Sequence, residues 1–256
     1  MMKGGEVRMK IVFFKNESHF HPRLSYTWEN AEQVHLNSKL QNLKKIFALL
    51  FAIPFIAFLF VNQKEFSSKW ILLLAISLLC LPIHELCHAL FCWISGRKVE
   101  RICFFPYKRI FSKAAGYVKP TFGVWNKYQA ILLVSFPIII LSIIPAILAI
   151  FIAPLRFWLL YLSLLNISVS YSDIVDTICL FKLPPNALYL VDIILTVKEV
   201  DKPIIIHQLS VTPKLDKIHH KCFEYLNGRL TEKEQPAETV ETRKLKQEFI
   251  NQFDIE

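Results

Sequence analysis

Four apolar stretches, from Ile46 to Gln63, Trp70 to Ile94, Tyr128 to Ala153 and Phe157 to Leu183, constrain this chain more than anything else in its sequence. Each can cross a hydrocarbon core, which takes roughly 20 helical residues at about 1.5 Å of rise apiece. Lipid offers backbone groups no hydrogen-bond partner, so the runs are expected as helices packed together. Pro54, Pro137 and Pro145 fall inside them and predict kinks, which neighbouring helices can accommodate. Composition agrees, since 54% of positions are hydrophobic, too many for an ordinary soluble domain. The expected fold is an all-α transmembrane bundle of about four spans, with a small β-containing loop at the cytoplasmic surface and short polar tails.

Lysine and arginine outnumber aspartate and glutamate by 30 to 21, a net charge of +9 that is compatible with nucleic acid, anionic lipid or simple topology. Placement favours topology. The basic residues gather before the first span (Lys3 to Lys45) and between the second and third (Arg97 to Lys127), whereas the opposite connections offer only Lys64, Lys69 and Arg156. By the positive-inside rule both termini are expected in the cytoplasm, in a multi-pass protein of the cell membrane. No nucleic-acid-reading motif accompanies the charge, so nucleic acid is not expected as a partner. The opening MMKGGEVRMK has no short apolar run with a small-residue cleavage site, and no cleavable signal peptide is expected. The chain divides into an N-terminal cytoplasmic segment (1–45), a four-span membrane domain (46–183) and a C-terminal cytoplasmic tail (184–256).

Between the second and third spans, RICFFPYKRIFSKAAGYVKPTFGVW alternates aromatic and basic residues with glycines, a pattern for short strands at the membrane surface. Beyond Leu183, DKPIIIHQL reads as a strand and TRKLKQEFINQF as an amphipathic helix. The six cysteines, Cys80, Cys87, Cys92, Cys103, Cys179 and Cys222, show no pairing pattern and are expected as reduced structural thiols.

The chemistry lies in LPIHELCHAL within the second span. His84 and His88 are four apart, hence on one helical face, where two imidazoles can bind one zinc ion. Glu85 then stands near enough to take a proton from a water on that metal. An acidic residue in a bilayer costs about 2.5 to 3.5 kcal/mol on translocon scales, so Glu85 between two histidines calls for a purpose. Catalytic zinc usually has three protein ligands and one open position. The fourth span supplies the candidates Asp173 and Asp176 in NISVSYSDIVDTICLF. Counted from the outer ends of their spans, His84, His88 and Asp173 all lie roughly 21 to 27 Å deep, with Asp176 one turn further. Asp173 is the favoured ligand and Asp176 the rival; the other is expected to bond a ligand or cap a helix. Asn166, two turns before Asp173, is placed to orient a substrate carbonyl or the ligand carboxylate, or to make a plain interhelical hydrogen bond. His19, His21, His35, His207, His219 and His220 show no ligand partners and are set aside.

HELCHAL, KAAGYVKP, the run containing SFPIII, and the stretch from Asn166 through SYSDIVDTICLFKLPPNA together resemble the putative zincin peptidase family of bacterial membrane proteins, over roughly Trp70 to Asp192. That family is in turn similar to the site-2 proteases, intramembrane zinc enzymes with HExxH on one helix and an aspartate ligand on a later one. The resemblance implies zinc (Zn2+) as cofactor, His84, His88 and Asp173 as ligands, Glu85 as base, and a membrane protein or peptide as substrate. The pattern departs from site-2 proteases where Tyr171 and Ser172 precede the aspartate, in place of their prolines and glycine. Three readings follow: a membrane-embedded zinc metalloprotease, a catalytically inactive zinc-binding membrane scaffold or regulator, and a transporter. A single polar cluster, rather than a chain of such groups across the bilayer, argues against transport.

Overall fold

The computed structural model describes residues 9–13, 23–34, 44–104, 116–120, 123–190, 193–199, 201–211 and 218–233. Its helices are α1 (Lys44–Val61), α2 (Gln63–Ile94), α3 (Lys127–Ile138), α4 (Ile144–Phe151), α5 (Arg156–Val169) and α6 (Tyr171–Phe181). Three of the apolar runs form helices long and apolar enough to cross a membrane: Lys44–Val61, Gln63–Ile94 and Lys127–Phe151. The last contains a π-helical segment, Ile139–Ile143, joining α3 to α4 just after Pro137.

The fourth run departs from a simple span. It breaks at Ser170 into α5 and α6, which are bent by 65° to one another, so it counts as a crossing only if the bent pair is one span. Helical hydrogen bonds still run through the break, from Ser170 N–H to Asn166 O (2.9 Å) and from Ile174 N–H to Ser170 O (3.0 Å). The second run also starts earlier than expected, because the polar turn QKEFSSK joins the helix with a Lys69–Glu65 ion pair one turn apart.

Local chemistry sets the helix ends facing the strands. At the end of α2, Gly96 takes a φ of +71°, its N–H bonding Trp93 O (2.9 Å) while Arg97 N–H bonds Cys92 O (2.8 Å). This glycine-terminated double closure turns the chain out of the helix. At the start of α3, Asn126 accepts from the Gln129 N–H (2.8 Å) and Gln129 Oε1 accepts from the Asn126 N–H (3.2 Å), a reciprocal cap.

The expectation of one small β loop and short polar tails is corrected by the strands. These are β1 (Lys10–Phe13), β2 (Arg23–Glu29), β3 (Ala31–Val34), β4 (Val99–Phe104), β5 (Gly116–Pro120), β6 (Val124–Asn126), β7 (Ala187–Leu190), β8 (Ile193–Val197), β9 (Ile204–Val211), β10 (Ile218–Leu226) and β11 (Arg229–Lys233). They form sheets ordered β1-β4-β5, β11-β10-β9-β2 and β3-β8-β7-β6. The loop between the second and third spans does carry strands, but each sheet also takes a strand from the N-terminal segment. β1 runs parallel to β4, while β2 and β3 pair antiparallel to β9 and β8. Residues on the two tails are too far apart in sequence for local periodicity to reveal such pairing. TRKLKQEFINQF lies outside the described residues.

Three apolar clusters tie these parts together. Ala89, Phe91 and Cys92 of α2 pack with Ile102, Trp125, Ile131 and Leu180, joining helices to strands. Leu190, Leu195, Ile204, Ile206 and Phe223 form a core between the two four-stranded sheets. Leu73, Cys80, Tyr161 and Leu165 bind α2 to α5 near the other end of the helices. Outward-facing positions such as Leu49, Phe60, Ile71, Leu78, Ile150 and Phe151 leave apolar side chains exposed, as a lipid-facing surface would.

Candidate metal centre

His84 and His88 lie one turn apart on α2, following Pro82, and their rings meet edge to face with centroids 5.1 Å apart. Asp173 stands in the first turn of α6, immediately past the bend. Its Oδ2 is 2.9 Å from His84 Nε2 and 3.7 Å from His88 Nε2. The sequence argument set the histidines and Asp173 at one depth, and in the fold their donor atoms meet.

The second nitrogen of each ring is held from behind. His84 Nδ1 donates to Asn166 Oδ1 (3.0 Å) and lies 3.3 Å from Ser170 Oγ. His88 Nδ1 donates to the Leu133 carbonyl (2.8 Å). With the proton on Nδ1 in both rings, both Nε2 lone pairs face Asp173.

A proline makes one of these acceptors available. In a regular helix the Leu133 carbonyl would bond the N–H of residue 137, but Pro137 has none. His88 takes the vacated place. The π-helical segment that follows serves the other ring: fully buried Asn166 donates to Pro137 O (3.2 Å) and to Ser142 Oγ (2.8 Å), which fixes its oxygen toward His84. π-helical insertions of this kind often sit at functional sites.

The donor set fits zinc. His84, His88 and Asp173 offer two nitrogens and one oxygen, all within 4.8 Å of one another. Tetrahedral zinc with bonds of about 2.0 to 2.1 Å places its ligand atoms about 3.3 to 3.4 Å apart, and the 2.9 and 3.7 Å separations bracket that value. His84 is buried, while His88 and Asp173 are partly accessible, which leaves a route to the site.

The other sequence candidates divide. Glu85, next to His84 and half-buried, lies close enough to His88, His84 and Asp173 to sense their charges, and it takes no hydrogen-bond or ion-pair partner among the described residues. Asn166 contacts the His84 ring rather than the Asp173 carboxylate. Asp176 is not in the converging group; it pairs with Lys44, whose Nζ is 2.9 Å from its Oδ1. Lys44, Ser142, Ser170 and the Leu133 carbonyl escaped the sequence reading, although Pro137 four residues beyond Leu133 was a legible signal for one of them.

Away from the helices, the expectation that His207 and His220 lack partners is corrected. Both are buried in the sheet, with His207 Nδ1 3.1 Å from His220 Nε2 and His207 Nε2 3.6 Å from Glu29 Oε1. Antiparallel register puts them diagonally on one face, an arrangement invisible without the strand pairing. His19, His21, His35 and the side chain of His219 lie outside the described residues.

Residues 77–188 match a protein family described as putative zincin peptidase, a span that holds His84, Glu85, His88, Asn166 and Asp173. No curated protein and no solved structure matches the chain.

Proposed function

From the match of residues 77–188 to the putative zincin peptidases, we propose that the chain is a membrane-embedded zinc metalloprotease that hydrolyses peptide bonds in or near the bilayer. The observation that carries this reading is the convergence of His84, His88 and Asp173 beside Glu85, a carboxylate committed to no other group among the described residues. His84, His88 and Asp173 hold the ion. Zinc, when bound, supplies a Lewis acid that polarises the scissile carbonyl and acidifies water. Glu85 receives the proton of the attacking water and returns it to the leaving amine nitrogen. Asn166 and the Leu133 carbonyl hold the imidazoles in the tautomer this requires.

Strand pairing supports four crossings, with both termini on one side. β2 and β3 precede α1, yet they pair with β9 and β8, which follow α6, so an even number of crossings separates them. β1 and β4 are likewise separated by α1 and α2, and β6 and β7 by the helices from α3 to α6. Four spans satisfy every pair; three would set β2 and β9 on opposite faces of the membrane. The basic residues of the same segments assign that side to the cytoplasm. His88 is six residues from Ile94, so the site lies roughly 9 Å inside the sheet-bearing end of α2.

The substrate class is a membrane protein or peptide able to unwind near the site. β5 is one of the two outer strands of its sheet among the described residues and packs against α2, so its edge is suited to receive an extended segment. Deleting residues 105–120 is expected to reduce cleavage and leave zinc content unchanged.

The decisive test compares three proteins in detergent, by metal analysis and cleavage of a quenched membrane peptide. Wild type should carry zinc and cleave. Glu85→Ala should keep zinc and lose about 10² to 10⁴ in rate, whereas Asp173→Ala should lose zinc as well. Wild-type protein that holds zinc and cleaves nothing, with Glu85→Ala indistinguishable from it in every phenotype, would support the scaffold reading instead.

A further inference from the structure

Asp173 depends for its position on the rotation of a short helix: α6 has 11 residues and leaves α5 at 65°, and its far end is held by buried Leu180 and by Lys127 Nζ donating to Phe181 O (2.9 Å). A rotation of α6 by about 20° would carry a carboxylate ~5 Å off the axis through roughly 1.7 Å, nearly a zinc–ligand bond length.

At the first turn of α6, a polar contact from α1 opposes that rotation. Lys44, the first residue of α1, places Nζ 2.9 Å from both carboxylate oxygens of Asp176 and 3.0 Å from Ser172 Oγ. Ser172 precedes Asp173, and Asp176 follows it by three residues, so the ammonium grips the turn that presents the ligand from both sides. The pair is partly desolvated, with side-chain exposures of 25% and 29%, and is therefore less screened than a fully exposed one. α1 has no fully buried residue of its own. Against α5 it packs aromatic rings, Phe55 on Tyr161 and Phe58 on Phe157.

The geometry points to Lys44 as a positioning residue: through Ser172 and Asp176 it locks the rotation of α6 that delivers Asp173 to the two histidines. This rests on the zinc reading given above. It also gives Asp176 a role other than ligand, and it makes the start of the first span part of the metal site's support.

Zinc affinity, measured by chelator competition on the full-length protein in detergent, tests it without reference to cleavage. Lys44→Met and Asp176→Asn should each weaken zinc binding about tenfold, as loss of support behind a ligand typically does. Lys44→Arg should bind as wild type does, and the charge exchange Lys44→Asp with Asp176→Lys should recover most of the loss. Thermal unfolding of the zinc-free proteins gives the control, since a merely structural pair would lower stability without moving affinity. Unchanged affinity in Lys44→Met, or no recovery in the exchanged pair, overturns the inference while the zinc site stands. Wild-type protein that takes up no zinc removes the site and this role together.

Discussion

Asn166 shows how much one side chain can organise. Its amide oxygen accepts from His84 while its nitrogen donates to Pro137 O and Ser142 Oγ, so one buried group joins α2, α3, the π-helical segment and α5. Asn166→Leu removes all three bonds and leaves Ser142 and the imidazole without it. Zinc affinity should fall about 10- to 100-fold, and the zinc-free protein should lose about 1 to 3 kcal/mol of stability. Chelator competition and denaturant unfolding measure the two effects separately. The i, i+4 spacing of His84 and His88, with Glu85 between them, was fully legible, because a helix turns a sequence interval into a common face. Asp173 was legible by depth alone. That calculation could not choose its rotation about the helix axis, so it kept Asp176 as a rival; in the fold Asp176 faces Lys44 and lies outside the converging group.

Helix-breaking residues behave differently in the two irregular spans. Pro137 leaves Leu133 with a spare acceptor, and His88 uses it, so the irregularity is also a ligand support. Pro137→Ala would supply the missing N–H and return that carbonyl to the helix ladder. The outcome should be weaker zinc binding with unchanged or higher helix content, read by chelator competition and circular dichroism. The proline was plain in the sequence, but its partner was not, since His88 lies 45 residues away from Leu133. The break at Ser170 had no such marker. Neither proline nor glycine is present there, and the turn follows from packing and from bonds involving Ser170 itself, including its approach to His84. With no proline or glycine to interrupt it, the run therefore reads as one straight span.

At the scale of the molecule, the helices were legible because lipid demands length and apolarity, both of which are local properties. Most of the sheets were not. Strands in β2 and β9 alternate over only a few residues, and the two are separated by the whole helical region. Two predictions follow from the pairing. Reporter tags at the two ends should label from the same face of sealed vesicles, and labelling from opposite faces would rule out the four-crossing arrangement. Removing residues 1–34 would strip β1 from β4, β2 from β9 and β3 from β8, exposing three strand edges. The truncated protein should aggregate and melt at lower temperature, as seen by size-exclusion chromatography and a thermal scan.

That arrangement also imposes an order on biogenesis. About 175 residues separate Glu29 from the first residue of β9, and a ribosome working at about 5 to 20 residues per second needs roughly 9 to 35 s to cover them. Throughout that interval the helices are synthesised, while the early strands wait with open edges. They are exposed at the very stage when a holding chaperone or a premature partner could claim them.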